Sequence, residues 1–231
     1  MKATDTMTDT QKIALVTGAS RGIGAATAEA LAAAGHHVIL TGRKEADLAE
    51  VEGRIHGLGG TATIAPFDLS DSEAIDRLAN AIGARWGRLD VLVLNAAQLG
   101  TLMPVPHQEP KEFDKVIAIN LTANFRLIRA FDPWLRQSPA ADVIALTSSV
   151  GAKPRAYWGA YAASKAALDN LVATYGLEVG AVTSIRTHVL DPGATRTTMR
   201  GRAFPGEDPQ TVKPPEEVAA RIAAIVAAPR D

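Results

Sequence analysis

The stretch VTGASRGIGAATAEAL, from Val16 to Leu31, joins a short apolar run to an alanine-rich segment that favours a helix. Gly18, Gly22 and Gly24 stand where a backbone would turn tightly, approach a ligand and pack a helix against a strand. The free N–H groups and positive dipole end of such a helix suit a phosphate or pyrophosphate. The spacing is neither the common G-x-G-x-x-G nor a Walker loop. The stretch therefore predicts a phosphate-binding strand–turn–helix unit, with a merely structural glycine turn as the alternative.

The same alternation of apolar run and amphipathic segment continues along the chain. The runs are rich in β-branched residues and apolar throughout, which indicates strands covered on both faces. Strict alternation of strand and helix predicts an α/β fold with a doubly wound parallel sheet of the Rossmann type. The predicted strands are Ile13–Thr17, His37–Thr41, Thr61–Ala65, Val91–Asn95, Val143–Ser148 and Arg186–Leu190, and the predicted helices are Gly24–Ala34, Lys44–His56, Ser72–Trp86, Pro110–Arg136, Gly159–Val179 and Pro215–Ala228.

Domain boundaries follow from the same pattern. We find no linker and no internal repeat, so residues 12–231 are expected to form a single domain after a frayed tail at residues 1–11. Segment 194–214 is irregular and rich in proline and glycine, and a loop of that kind is usually functional or disordered. We expect it to be a lid. No seventh strand follows the sixth predicted helix, so the sheet is expected to lack a last strand.

Composition excludes several classes of protein. The net charge of −1 over 231 residues gives no support for a nucleic-acid binder. The chain has no cysteine, and its five histidines lack metal-ligand spacing, so we expect no metal site. The first apolar run is too short for a signal peptide or a membrane span, so the expected location is cytoplasmic, without a membrane partner.

The second predicted strand ends in LTGRK, Leu40 to Lys44. In dinucleotide-binding sheets an acidic residue here holds the adenosine ribose 2′-OH, whereas arginine accommodates a 2′-phosphate. Arg43 stands here and Arg21 lies in the glycine turn, and two guanidiniums can give charge-assisted bonds to one dianion. The sequence therefore favours NADP(H) over NAD(H). The alternative is that Arg43 only caps a solvated helix start.

A tyrosine and a lysine stand four residues apart in AYWGAYAASKAALDNL, Ala156 to Leu171. Tyr161 and Lys165 would share one face of a helix. The pair alone is a weak signal, because two amphipathic side chains on a helix surface give the same pattern.

Several further motifs come in the same order and at similar spacings as in a known family. They are Thr17-Gly18-x-x-x-Gly22-x-Gly24, Asp68-Leu69, Asn95-Ala96, Asn120, Ser148, Tyr161-x-x-x-Lys165 and Pro192-Gly193. Together they resemble the short-chain dehydrogenase/reductase family over residues 12–199. The resemblance implies an enzyme that transfers hydride between NADP(H) and a small carbonyl or alcohol substrate.

The resemblance also implies catalytic roles. Tyr161 would be the general acid or base, and Lys165 would lower the pKa of its phenol and hold the nicotinamide ribose. Ser148 would orient the substrate carbonyl, with adjacent Ser149 as its competitor. Asn120 would hold a water that links the lysine to solvent, unless it only bonds backbone within its helix.

Cofactor contacts are implied in the same way. The one departure is Leu94-Asn95-Ala96-Ala97, where the family pattern reads Asn-Asn-Ala-Gly, and we expect it to alter local packing more than hydride chemistry. The implied cofactor-binding residues are Gly18, Ser20, Arg21, Gly22, Ile23, Gly24, Arg43, Asp68, Leu69, Asn95, Ala96, Tyr161, Lys165, Pro192, Gly193 and Thr197.

The substrate and the assembly are less defined. The substrate would be recognised by variable loops at residues 97–109, 150–158 and 194–214. The composition of these loops is compatible with steroids, acyl thioesters, sugars or simple ketones. Leu99, Leu102, Met103, Trp158, Met199 and Phe204 could line an apolar site or belong to the core. We expect a homodimer through the fourth and fifth helices, where Ala160, Ala163, Ala167 and Leu171 allow close approach. The alternative function is a non-catalytic dinucleotide-binding regulatory or scaffolding protein of the same fold.

Overall fold

The computed structural model describes residues 11–230, so residues 1–10 of the predicted tail lie outside the described part. Six strands form one parallel sheet in the order β3-β2-β1-β4-β5-β6. This order is the doubly wound one, with its switch point between β1 and β4. The strands are β1 (Ile13–Thr17), β2 (His37–Gly42), β3 (Thr61–Pro66), β4 (Val91–Leu94), β5 (Asp142–Leu146) and β6 (Arg186–Leu190).

Helices connect the strands, and one predicted helix is divided. They are α1 (Gly22–Ala33), α2 (Glu45–Gly57), α3 (Ser72–Trp86), α4 (Pro110–Ile117), α5 (Ala123–Leu135), α6 (Ser149–Ala152), α7 (Gly159–Gly180), α8 (Thr198–Ala203) and α9 (Pro215–Ala227). A π-helical turn at Ala118–Thr122 separates α4 from α5 within the predicted helix Pro110–Arg136. Turns of this kind are frequently found at functional sites.

Two apolar cores lie on the two faces of the sheet, as the unbroken apolar strands predict. On one face Leu127 and Phe131 of α5 and Leu168 of α7 pack against the strands. On the other face Leu31 of α1 and Val218 of α9 belong to the second core. This two-sided burial confirms the predicted α/β class.

Buried carboxylates pin the strands at their amino ends. Asp142, at the start of β5, is 1% exposed and accepts hydrogen bonds from Arg186, His188 and Arg230. Although burial raises the pKa of Asp142, these three partners hold that pKa below its ordinary value. Asp90, before β4, accepts from the backbone N–H of Ile13 at 2.8 Å. These contacts fix the positions from which the strands run toward the site.

The chain after β6 carries the expected lid segment, and it is more ordered than the irregular pattern predicts. Segment 194–214 contains α8 and a 3₁₀ turn at Pro209–Thr211, and Thr195 bridges to Lys213. Within residues 11–230 the sheet has no strand beyond β6, as expected. No helix in the described part is both long and apolar enough to span a bilayer.

Candidate active site

The glycine turn between β1 and α1 has the geometry that the sequence predicts. Gly18 and Gly22 have φ values of +64° and +56°, the left-handed region that favours glycine. A Cβ on Gly24 would lie 2.2 Å from the carbonyl oxygen of Gly18, so only glycine lets the helix start this close to the turn. The turn is therefore a cradle of backbone at the amino end of α1, which suits a phosphate.

Two polar side chains hold this cradle against β4. The Thr17 hydroxyl accepts from the backbone N–H groups of Asn95 and Ala96 at 3.0 and 3.1 Å, and it donates to Val93. The Asn95 amide donates to the carbonyl oxygens of Thr17 and Gly18 at 2.8 and 3.2 Å. The Asn95 side chain, expected to bind the cofactor, is thus engaged with the turn itself. The structural role of Thr17 was not predicted.

The predicted 2′-phosphate residues lie around the same turn. Arg21 occupies the N-cap position of α1 with an extended backbone, and both Arg21 and Arg43 are exposed. A Cβ on Gly42, beside Arg43, would lie 3.7 Å from the Cβ of Ser20, so the two loops adjoin. Asp68 accepts two hydrogen bonds from Ser70, and these lower its pKa. Ile23 and Leu69 are partly buried against the two cores.

Tyr161 and Lys165 lie on one face of α7, and both are buried. Tyr161 is 8% exposed and Lys165 is 2% exposed. The Lys165 ammonium lies 5.8 Å from the centre of the Tyr161 ring and donates to the carbonyl oxygen of Leu146 at 2.5 Å. Leu146 ends β5, so α7 brings both side chains to the carboxyl ends of the strands, where ligands bind in such sheets.

Burial shifts both groups away from their charged forms. It raises the pKa of Tyr161 to about 12, and the Asp191 carboxylate adds to this shift. It lowers the pKa of Lys165 to about 8, against the opposing charge of Asp169. Burial and Asp191 thus set the direction of the Tyr161 shift, and the lowering of this pKa by Lys165 stays a prediction. At neutral pH the phenol carries its proton.

Asn120 lies in the π-helical turn and joins three segments around the pair. Its amide nitrogen donates to the carbonyl of Gln98 and the hydroxyl of Ser164, each at 2.9 Å. Its side-chain oxygen accepts from the backbone N–H of Gln98 at 2.7 Å. Ser164 in turn donates to the carbonyl of Tyr161 at 2.7 Å. The alternative that the Asn120 side chain bonds only to backbone within its own helix is therefore wrong.

Ser148 and the segment after β6 complete the predicted set. Ser148 precedes α6, is partly exposed and makes no capping hydrogen bond with its side chain. Gly193 has a φ of +65°, and Pro192 beside it is partly buried. A Cβ on Gly22 would lie 3.3 Å from the methyl carbon of Thr197, so the segment after β6 reaches the glycine turn.

Sequence reasoning missed an acidic neighbour of Lys165. Asp169 follows it by one helical turn, the spacing that brings side chains together. Burial raises the pKa of Asp169, opposed by the Thr147 hydroxyl and by the charge of Lys165. The Thr147 hydroxyl and Asp169 Oδ1 are buried near each other, yet neither has hydrogen-bond geometry to a partner within residues 11–230. The four-residue spacing from Lys165 to Asp169 is the sequence signal that could have predicted this neighbour.

An apolar cluster covers Tyr161. Leu99, Val150 and Tyr161 form its buried part. The partly buried residues that pack against it are Leu102, Trp158, Ala162, Met199 and Ala203. The sequence analysis named six residues that could line an apolar site or belong to the core. Four of them lie in the cluster beside the tyrosine: Leu99, Leu102, Trp158 and Met199. Within residues 11–230 no group of three or more acidic, histidine or cysteine side chains could hold a metal ion.

Comparison with known proteins agrees with this geometry. The model of the short chain dehydrogenase family matches residues 12–208. An oxidoreductase of Escherichia coli K12, YciK, is 39% identical over 210 residues, which are 90% of this chain and 82% of that protein. The 2,3-dihydro-2,3-dihydroxybenzoate dehydrogenase of Bacillus subtilis is 32% identical over 199 residues, 85% of this chain and 75% of that protein.

Solved structures give the same result. A short chain dehydrogenase of Shigella flexneri 2a, crystallised in complex with NADP, superposes with a TM-score of 0.90 at 38% identity. The superposition covers 94% of this chain and 91% of that one.

Proposed function

This chain belongs to the short-chain dehydrogenase/reductase family of oxidoreductases, and we propose from that premise that it transfers hydride between NADP(H) and a carbonyl or alcohol substrate. The observation that carries the proposal is the buried Tyr161–Lys165 pair at the carboxyl ends of the strands. A dinucleotide fits the site, because the backbone cradle at Gly18 and Gly24 opens at the amino end of α1.

The proton in the reaction comes from Tyr161. Bound NADPH supplies the hydride that reaches the carbonyl carbon. The Tyr161 phenol is protonated at neutral pH and donates its proton to the carbonyl oxygen, which makes it a general acid in the direction of reduction. In the direction of oxidation the phenol must first lose that proton, and the Lys165 cation then stabilises the phenolate.

The other polar groups orient this proton transfer. Ser148 follows β5 with a hydroxyl free of any capping bond, and we assign it to the substrate carbonyl. Asn120 and Ser164 hold the backbone of Tyr161 through the bond from Ser164 to the Tyr161 carbonyl. The Asn120 side chain is occupied by Gln98 and Ser164. We therefore assign Asn120 to positioning; its water-holding role stays a prediction.

NADP(H) is favoured over NAD(H) by charge at the glycine turn. Arg21 and Arg43 are exposed beside it, and positions 41–43 carry no acid. The Shigella relative was crystallised with NADP. We assign the remaining dinucleotide contacts to Gly18, Ser20, Gly22, Ile23, Gly24, Asp68, Leu69, Asn95, Ala96, Lys165, Pro192, Gly193 and Thr197.

Absorbance at 340 nm tests the proposal with a panel of carbonyl compounds and NADPH or NADH. We expect NADPH oxidation with at least one carbonyl class, and a higher kcat/KM for NADPH than for NADH. Arg43→Leu should lower kcat/KM with NADPH about tenfold or more and leave that with NADH within twofold, because only NADPH carries the 2′-phosphate. A preference for NADH in the wild type would contradict the assignment of Arg43. NADPH binding without oxidation by any carbonyl would favour the regulatory alternative.

Assembly is a separate proposal. We propose a homodimer through the predicted fourth and fifth helices, which correspond to α4, α5 and α7. Ala163 on α7 and Phe125 on α5 are exposed, whereas Ala160 is only 5% exposed and cannot contribute much contact. Light scattering at micromolar concentration should give twice the mass of the chain, and a monomer would contradict the proposal.

A further inference from the structure

A tryptophan ring contacts the buried tyrosine, and a phenylalanine ring and an arginine lie against that tryptophan. Trp158 meets Tyr161 edge-on, with ring centres 5.8 Å apart. Phe204, directly after α8, lies 5.8 Å from Trp158 at an interplanar angle of 38°. The Arg155 guanidinium lies 4.9 Å from the centre of Phe204 and 5.7 Å from that of Trp158. We call Arg155, Trp158 and Phe204 the aryl box.

Apolar side chains lie on the Tyr161 side of the aryl box. Leu99, Val150 and Met199 belong to the same apolar cluster as Trp158 and Tyr161. Arg155 is exposed and has no ion pair with an acidic side chain in the described part of the chain. The aryl box and this cluster therefore offer ring faces and a cation beside Tyr161.

The loop that carries the box is strained. Tyr157 has a φ of +75°, the only positive φ at a non-glycine position within residues 11–230. This conformation costs about 1–2 kcal/mol for an L-residue and is retained mostly at functional sites. The Tyr157 carbonyl accepts from the backbone N–H of Met103 at 3.1 Å. The strained residue directly precedes Trp158 and so sets where the indole meets Tyr161.

The Phe204 side of the aryl box is formed by a short segment after β6. Phe204 follows the six-residue helix α8 and precedes Pro205 and Gly206, and both of these are exposed. Arg200 lies 3.6 Å over the Phe204 ring and is held by Glu207 through two hydrogen bonds of 2.6 and 2.5 Å. A ring about 3.5 Å thick would enter between Trp158 and Phe204 if this turn moves outward by the same amount.

We propose that the substrate is an aryl aldehyde or aryl ketone, whose ring binds in the aryl box while its carbonyl oxygen meets Tyr161. This inference rests on the proposed function. In the reaction the C=O carbon gains hydride from NADPH and the oxygen gains the Tyr161 proton. The carbonyl becomes an alcohol, and NADPH becomes NADP⁺. The incoming ring replaces the Trp158–Phe204 contact with two contacts of the same kind, under the Arg155 cation.

A matched pair of substrates tests the proposal in the wild type. Benzaldehyde and cyclohexanecarbaldehyde have the same carbon skeleton and differ in the π face. We expect kcat/KM with NADPH to be at least about tenfold higher for benzaldehyde. Equal values, or a preference for the saturated aldehyde, overturn the aryl proposal and leave hydride transfer standing. Absence of turnover with any carbonyl compound overturns the proposed function, and the aryl proposal with it.

Variants locate the preference in the box. Phe204→Leu keeps an apolar side chain and removes the π face, so it should reduce the benzaldehyde preference about three- to tenfold through KM. Arg155→Gln should reduce it about two- to fivefold. The controls are Phe113→Leu on α4 and Arg202→Gln on α8, two positions outside the box that should leave the preference within 1.5-fold. A preference unchanged by both box variants overturns the assignment.

Discussion

The two ends of the sheet treat buried charge in opposite ways. At the amino ends, Asp142 is 1% exposed and accepts hydrogen bonds from two arginines and a histidine, and its pKa is lowered so that it stays charged. At the carboxyl ends, Lys165 is 2% exposed and donates to a neutral carbonyl, and its pKa falls to about 8. Burial likewise raises the pKa values of Tyr161 and Asp169.

The difference separates stability from function. A buried charge with several partners holds elements together, whereas a buried charge with a poor partner costs stability and is retained for chemistry. The amino end is the anchor of the fold. At the carboxyl end, burial disfavours the charged forms of Tyr161 and Lys165, the two groups that we propose to take part in proton transfer.

The largest effect on the anchor should come from Asp142→Asn. This change leaves the guanidiniums of Arg186 and Arg230 around a neutral amide, and breaking a buried pair in this way costs about 3–5 kcal/mol. Urea unfolding at pH 7 measures the free energy of unfolding. The control is Glu73→Gln, the exposed half of an i, i+4 pair with Arg77, which should cost less than about 0.5 kcal/mol. If both variants lose the same free energy of unfolding, Asp142 does not anchor the fold.

The opposite sign is expected for Lys165→Met. Removing a buried ammonium should raise the free energy of unfolding by about 1–3 kcal/mol at pH 7, although catalysis is lost. The unfolded chain keeps this lysine proton up to the ordinary pKa of 10.5, whereas the folded chain releases it near 8. The wild type should therefore gain stability between pH 8 and 10, and the advantage of the variant should shrink there. An advantage that is constant over pH 7–10 would contradict the lowered pKa.

A smaller effect should follow from Asp169→Asn. The groups that face Lys165 are Tyr161 and Asp169 on α7, and Asp191 acts on both of these from the end of β6. Removing the Asp169 charge lowers the pKa of Lys165 further. The upper limb of the pH profile of kcat/KM should then move down by about one pH unit, with partial recovery in Asp169→Glu. The control is Glu178→Gln on the exposed part of the same helix, which should not move the limb. An upward shift in Asp169→Asn would contradict the assigned charge coupling.

Much of the fold could be predicted from local pattern, because strands such as Ile13–Thr17 and the glycine turn after it are specified by adjacent residues. The π-helical turn at Asn120 could not be predicted in this way. That asparagine bonds to Gln98 and Ser164, and these are distant in sequence. Strand β5 likewise begins one residue before the predicted Val143, because Asp142 is in register with Val91 of β4 and Arg186 of β6.

The candidate site was predicted as a set of residues, and its electrostatics were not. The spacing of Tyr161 and Lys165 predicts their common face, and the structure has it. The direction of the Tyr161 pKa shift depends on how completely α8 and the loop at Trp158 cover the ring, which spacing does not contain. Asp169 was missed because an acid on a helix usually lies in solvent.

The most direct measurement is a single-turnover rate for Tyr161→Phe, with NADPH and the best carbonyl substrate of the wild type. The variant keeps the ring and loses only the hydroxyl. We expect NADPH affinity within twofold of the wild type, measured by fluorescence titration, and a rate of hydride transfer about 10²–10⁴-fold lower, the usual contribution of a general acid. A variant that binds NADPH normally and keeps more than about a tenth of the wild-type rate would contradict the role of Tyr161 as the proton donor.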